Sequence, residues 1–258
     1  MTKKEIKKLL DIKVEQFNNP EFLLNDPVGI PHRFTVLQDI EIMGFFAAIL
    51  AWGQRITIIN NCNKLINLFD GNPYEFILNH KSKDLKRFKG FAHRTFNEDD
   101  LLYVIDFFKR YYNSNLSLEN AFSKDVKPKD TDVGNGLAGF RNLFTDCDYF
   151  PHRTGKHVAS PVAGSACKRL NMYLRWMVRK DEAGVDFGLW TKIKPSQLVC
   201  PLDVHVQRVA LKLGLLKSEK SNWETAVQLT NELKKFDPID PVKYDFALFG
   251  IGVEGSLD

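Results

Sequence analysis

The sequence predicts an all-α fold, and three observations carry the prediction. Hydrophobic spacing is helical along most of the chain, capping residues stand where those stretches begin, and alternation of apolar and polar residues is nearly missing. Val185 to Ile193 is the one short candidate for a strand, and strands alternating with helices would show themselves in 258 residues.

Ile6, Leu9, Leu10, Val14 and Phe17 form the first stripe, behind a Thr2-x-x-Glu5 capping box whose reciprocal bonds satisfy amides a helix start leaves unpaired. Met43 to Trp52 (MGFFAAILAW) is apolar all round, the pattern of a central buried helix. Ile58, Ile59, Cys62, Ile66 and Phe69 make the next stripe, which Asp70-Gly71-Asn72-Pro73 stops. Leu101 to Tyr112 is a helix opened by Asn97 and the acids that follow. Ala166, Leu170, Tyr173, Leu174 and Met177 share one face of another, and Lys168, Arg175 and Arg179 line up on a second face. Such a basic edge is by default a solvated one. Asp203 is placed as the N-cap of a helix with Val206, Val209 and Leu213 inward and Gly214 as its stop. Ser221-x-x-Glu224 reads as a second capping box starting a helix to about Phe236, and Asp240-Pro241 opens the last helix, with Tyr244, Phe246, Ala247 and Leu248. Lys124 to Asp132 is a charged loop; Tyr149 to Pro161 is a basic one with His152, Arg153, Lys156 and His157.

Composition narrows the class. A chain of this length buries a core without disulfides or metals. The 36 basic and 32 acidic residues leave a charge of +4, which permits nucleic acid as a partner without requiring it. Lysine and arginine outnumber the acids in residues 141 to 180. Cys62, Cys147, Cys167 and Cys200 are far apart, with no C-x-x-C pair, so a zinc ribbon and a cysteine-held iron–sulfur cluster are excluded. No secretory run opens the chain, and Ile40 to Trp52 is too short to span a bilayer; a cytoplasmic protein with free thiols is expected. Phenylalanine is in surplus, at 20 residues. Phe17, Phe45, Phe46, Phe69, Phe107, Phe108, Phe246 and Phe249 belong in the core, and Phe91, Phe140 and Phe144 are the candidates to face a cleft.

Two stretches carry chemistry. An amine at a helix start, as at Lys168, is a candidate nucleophile and phosphate contact. The segment PLDVHVQRV (201–209), with its apolar run to Leu213-Gly214, resembles the part of the helix-hairpin-helix DNA glycosylase superfamily that carries the catalytic aspartate and reads V-D-x-H-V-x-R-V with a later L-G. Upstream, GSACK (164–168) occupies the place of the lysine of that superfamily's bifunctional members, with Val162-Ala163-Gly164 where the usual apolar-Pro-Gly-x-Gly hairpin stands. FFAAILAWGQR (45–55) is similar to the buried early helix that ends at the base-binding edge, and VKYDFALFGIG (242–252) to the late helix running into a glycine turn. The 35 residues from Lys168 to Asp203 look more like the archaeal 8-oxoguanine glycosylase branch than like endonuclease III, and the resemblance spans roughly residues 35 to 255.

The resemblance implies two helical lobes flanking a DNA-binding cleft, a barrel over 35–195 and a second lobe from 1–34 plus 196–258. It implies excision of a damaged base, an oxidised purine such as 8-oxoguanine, with AP-lyase activity. Lys168 would be the nucleophile and Asp203 the carboxylate that stabilises charge on the sugar. Trp52, Gln54, Phe91, Phe140, Phe144 and Trp190 are candidates to stack on or contact an extruded base. Arg55, Arg153, Lys156 and Arg175 are candidates for phosphate, with His205 beside the aspartate. The expected partner is duplex DNA with a damaged base or abasic site, bound by a monomer with no metal or cofactor. Three alternatives stand beside this: a monofunctional glycosylase in which Asp203 activates water, a non-catalytic DNA-binding module, and a helical protein with no nucleic-acid role.

Overall fold

The computed structural model describes residues 1–255. It is predominantly helical. Helix α1 (Lys3–Phe17) has the Thr2–Glu5 box in place, with Glu5 accepting the Thr2 N–H at 2.7 Å and Thr2 Oγ1 accepting the Glu5 N–H at 3.3 Å. Helix α2 (Leu37–Ile49) is buried from Asp39 to Ile49, as an all-round apolar helix must be, and Trp52 lies just beyond its end. Helices α3 (Arg55–Leu68) and α4 (Pro73–Asn79) follow; Pro73 begins a helix as well as ending one, because its missing N–H is no loss at a first turn.

Strands β1 (Ala92–His93) and β2 (Phe96–Asn97) pair antiparallel and are too short to show alternation in sequence. Helix α5 (Glu98–Tyr112) starts at the Asn97–Asp100 capping box. The next two helices, α6 (Glu119–Ser123) and α7 (Gly134–Thr145), were not signalled by caps. The glycines of α7 are the reason: a Cβ on Gly136 would come within 2.2 Å of the Phe122 carbonyl and one on Gly139 within 1.9 Å of Asp125. Close packing of α7 on α6 thus outweighs the low helix propensity of glycine.

Helix α8 (Lys168–Val178) packs on α2. The segment Val185 to Ile193 is not a strand; Phe187 and Trp190 donate their N–H groups to the Trp176 and Met177 carbonyls (2.7 and 2.9 Å), closing the end of α8. Helix α9 (Val204–Lys212) packs on the last helix, and α10 (Trp223–Lys234) is capped by Asn222, not Ser221: Asn222 Oδ1 accepts the Thr225 N–H at 2.9 Å. A short turn at Pro241–Lys243 leads into α11 (Tyr244–Glu254), which lies between α1 and α9.

Several sequence expectations change here. Phe91, Phe140, Phe144 and Trp190 are all core residues, each exposed 2% or less. Phe140 stacks on Phe122 at 3.9 Å, and the Trp190 indole N–H donates to Glu41 Oε1 at 2.7 Å. Glu41 is a fully buried acid on α2 that also accepts from Tyr112, Ser117 and the Leu118 N–H, which is how an apolar helix tolerates it. The basic edge of α8 is not solvated beyond Lys168. Arg175 and Arg179 are buried and hold Asp186 between them at 3.2 and 3.1 Å, with Asp245 on Arg175 and Asp181 and Asp240 on Arg179.

Candidate active site

Lys168 and Asp203 meet. The chain enters α8 through Gly164 and Cys167, both left-handed (φ 75° and 49°). Such a φ is unstrained for glycine and costly for cysteine, so its surroundings must hold it. They do: Ser165 bridges to Asn222, Ser165 Oγ accepts the Cys167 N–H at 3.1 Å, and Asn171 Nδ2 donates to the Ala166 carbonyl at 3.0 Å. Lys168 is the first residue of the helix that follows. Across from it, Asp203 caps α9, with Oδ1 accepting both the His205 and Val206 N–H groups at 2.9 Å. The cap fixes one oxygen and leaves the other facing the amine: Lys168 Nζ is 3.9 Å from Asp203 Oδ2.

Both side chains line one cavity of about 840 Å³. Its aromatic walls are Phe22, Trp52, Phe246 and Phe249, and its charged lining includes Asp26, Arg55, Lys156, Arg169, Arg175 and Asp245. Arg55 lies over the Phe249 ring at 5.1 Å and reaches to 4.0 Å from Asp26 Oδ2. Lys156 is exposed at the wall. Trp52 is held from several sides: Arg94 stacks over it at 4.5 Å, Arg169 stands 6.0 Å away, and His93 bonds its carbonyl at 3.2 Å. Its indole N–H is buried with no partner.

Burial shifts two acids of the wall upward. The Asp245 carboxyl is pushed to about 6 by desolvation, against the pull of Arg175. The Asp26 carboxyl is also raised by burial, against the Val28 N–H and Arg55. Among the described residues no group of His, Cys, Asp and Glu could hold a metal ion.

Of the residues singled out in the sequence, Trp52, Arg55, Lys156, Lys168, Arg175, Asp203 and His205 come together at this cavity. Arg175 belongs to its buried floor, paired with acids and not free for phosphate. The His205 ring is engaged with the Gly252 carbonyl at 3.2 Å. Gln54 is exposed at the start of α3, between two lining residues but not itself on the wall. Arg153 is elsewhere; it binds Asp100, Asn97 and the Thr95 carbonyl. Missed in sequence were Phe22, Asp26, Asp245 and the cavity-facing role of Phe249. An acid inside the apolar run YDFALFGIG was the available signal for Asp245, since a buried carboxylate needs a reason.

A family model matches residues 26–254, nearly all of the chain that builds this cavity. The chain belongs to the DUF2400 family. That family is described as a protein of unknown function. No curated protein and no solved structure matched the chain. In this DUF2400 protein Lys168, Asp203 and all the charged lining residues fall inside the matched region, while Phe22 and α1 precede it.

Among the described residues no helix is long and apolar enough to cross a membrane.

Proposed function

We propose that this protein is a DNA glycosylase with AP-lyase activity, acting on an oxidised purine such as 8-oxoguanine through a Schiff base on Lys168. The observation that carries the reading is the Lys168–Asp203 approach of 3.9 Å in the wall of a single cavity, between segments 35 residues apart in sequence that both resemble the helix-hairpin-helix glycosylases. On this reading α2 and α8 belong to one lobe, α1, α9 and α11 to the other, and the cavity opens between them. A cavity of this size lies in the range of about 300–1,000 Å³ usual for ligand sites. Its aromatic walls offer the stacking that an extruded base requires.

The chemistry follows from the two side chains. The Lys168 Nζ lone pair bonds to the sugar C1′ as the bond from C1′ to the base breaks, and that bond's electron pair leaves with the base, which takes up a proton. Asp203 stabilises the positive charge that builds on the sugar and receives a proton from the attacking amine. Opening of the ring sends the C1′–O4′ pair to O4′, which is protonated, and leaves an imine on Lys168. Loss of a C2′ proton then expels the 3′ phosphate. Arg55 and Lys156 stand at the cavity to take flanking phosphates.

Borohydride trapping on duplexes bearing 8-oxoguanine or an abasic site tests this. Wild type forms a covalent adduct and Lys168→Ala forms none. Asp203→Asn lowers base release on the order of 100-fold or more, while an amide still caps α9 and leaves stability nearly unchanged. No adduct on either duplex, or an adduct that survives Lys168→Ala, overturns the lyase assignment. Base release without any adduct would give the nucleophile's role to water activated by Asp203.

A further inference from the structure

Asp26 is an acid on the cavity wall that the steps above do not use. It caps the short turn Pro27–Gly29, with Oδ1 accepting the Val28 N–H at 3.1 Å. Among the described residues its Oδ2 makes no hydrogen bond, and its nearest cation is Arg55 Nη2 at 4.0 Å. The side chain is 13% exposed and lines the cavity. The other acids there are engaged, Asp203 with α9 and Lys168, and Asp245 with Arg175. A carboxylate oxygen that faces a cavity without a donor gains from a ligand that supplies one. Beside it, the Arg55 guanidinium lies over Phe249, with Nη2 4.0 Å from the Asp26 acceptor.

Resting on the glycosylase reading, we propose that Asp26 and Arg55 read the edge of the extruded base, selecting bases that carry an N–H beside a carbonyl. Asp26 Oδ2 accepts the base N–H and Arg55 donates to the adjacent oxygen. 8-Oxoguanine, hypoxanthine and uracil present such an edge. Guanine and thymine share it at N1–H/O6 and N3–H/O4, whereas adenine and cytosine present an acceptor ring nitrogen in that place and would meet the carboxylate with repulsion, which is a specificity device as much as an attraction. Asp26 is thereby a specificity residue and takes no part in bond breaking.

The test compares two duplexes in single-turnover assays, one with a member of that base panel and one with an abasic site at the same position. The readout is the ratio of base release to abasic-site cleavage, because the abasic substrate has no base to recognise. Asp26→Asn keeps a cap acceptor for Val28 and replaces one oxygen with a donor; Asp26→Ala removes both. The ratio falls tenfold or more in each variant. A ratio within threefold of wild type in both overturns the assignment and leaves the glycosylase reading standing. Release confined to a base without an N–H beside a carbonyl, such as 3-methyladenine, also overturns it. If wild type releases base without cutting the abasic duplex, base release alone is compared; a wild-type protein that releases no base and leaves the abasic duplex uncut defeats the glycosylase reading, and this inference with it.

Discussion

At the scale of single residues, His157 shows how burial decides protonation. The ring is buried against Phe96, and desolvation lowers its proton affinity from 6.5 to about 4. The imidazole is therefore neutral at pH 7, and its 3.4 Å approach to Asp100 is not an ion pair. Because the folded value lies below the unfolded one, the unfolded chain binds the proton first. The stability this site contributes is full above pH 6.5 and is lost as pH falls toward 4, up to ~3 kcal/mol. Urea unfolding of wild type and His157→Asn between pH 7 and 4.5 checks this: the variant loses less stability over that interval. At this scale the sequence was readable where one residue has one local task. Asp203 was identified as a cap, and it caps α9 with Oδ1 while its other oxygen stands 3.9 Å from the Lys168 amine. Phe91, Phe140 and Phe144 were not readable, because which phenylalanine meets a cavity is set by partners far along the chain. Phe249 reaches it from α11.

At the scale of elements, helix starts show what local pattern can and cannot supply. The Thr2 box stands where the sequence placed it, and Asn97 opens α5 as read, with a box to Asp100 that the sequence reading did not name. At α10 the sequence reading chose Ser221, and the backbone takes its neighbour Asn222, whose Oδ1 accepts from both the Thr225 N–H and the Thr225 hydroxyl. Asn222→Ala therefore costs about 1 kcal/mol in chemical unfolding and Ser221→Ala close to nothing. Equal effects would mean that the helix begins one residue earlier. The edge of α8 was misjudged for a different reason. Spacing reveals which residues share a face but not what covers it, and acids from the loop after α8 and from α11 cover this one. Helix α7 was hidden by its own glycines, which make sense only once α6 lies against it.

At the scale of the molecule, the ion network around Arg175 and Arg179 joins α8 to the loop at Asp181 and Asp186, to Asp240 and to Asp245 of α11. Asp186 is buried between two guanidinium groups, so Asp186→Ala leaves two buried cations short of a partner. The expected loss is about 3–5 kcal/mol. Asp181, with its side chain 22% exposed, pairs with Arg179 and also accepts from Asn18 and from the Ala183 and Gly184 N–H groups; water replaces it more readily than it replaces Asp186, and Asp181→Ala loses less, about 1–2 kcal/mol. Denaturant titration of the two variants gives the contrast, and similar losses would refute this division of the network. On the proposed glycosylase reading, DNA affinity belongs to the same scale. If two or three phosphates are gripped, log K falls against log salt with a slope of about −2 to −3, and Lys156→Ala flattens it by about one. A predominantly helical molecule was legible from periodicity alone. The meeting of residues 168 and 203 was legible only through resemblance, because the stretch between α8 and α9 is largely irregular and periodicity does not foretell its path.

The family resemblance begins at residue 26, yet the molecule does not divide there. The Phe17 ring fills the notch that Gly250 leaves in α11, where a Cβ would sit 2.1 Å from the ring, and Tyr244 donates to Asp11 at 2.9 Å. Helix α1 is thus a brace behind the same helix that presents Asp245 and Phe249 to the cavity. A fragment trimmed to the matched region would keep every residue of the proposed chemistry and lose the back support of one wall. Kinship and mechanical unity draw different borders in this protein.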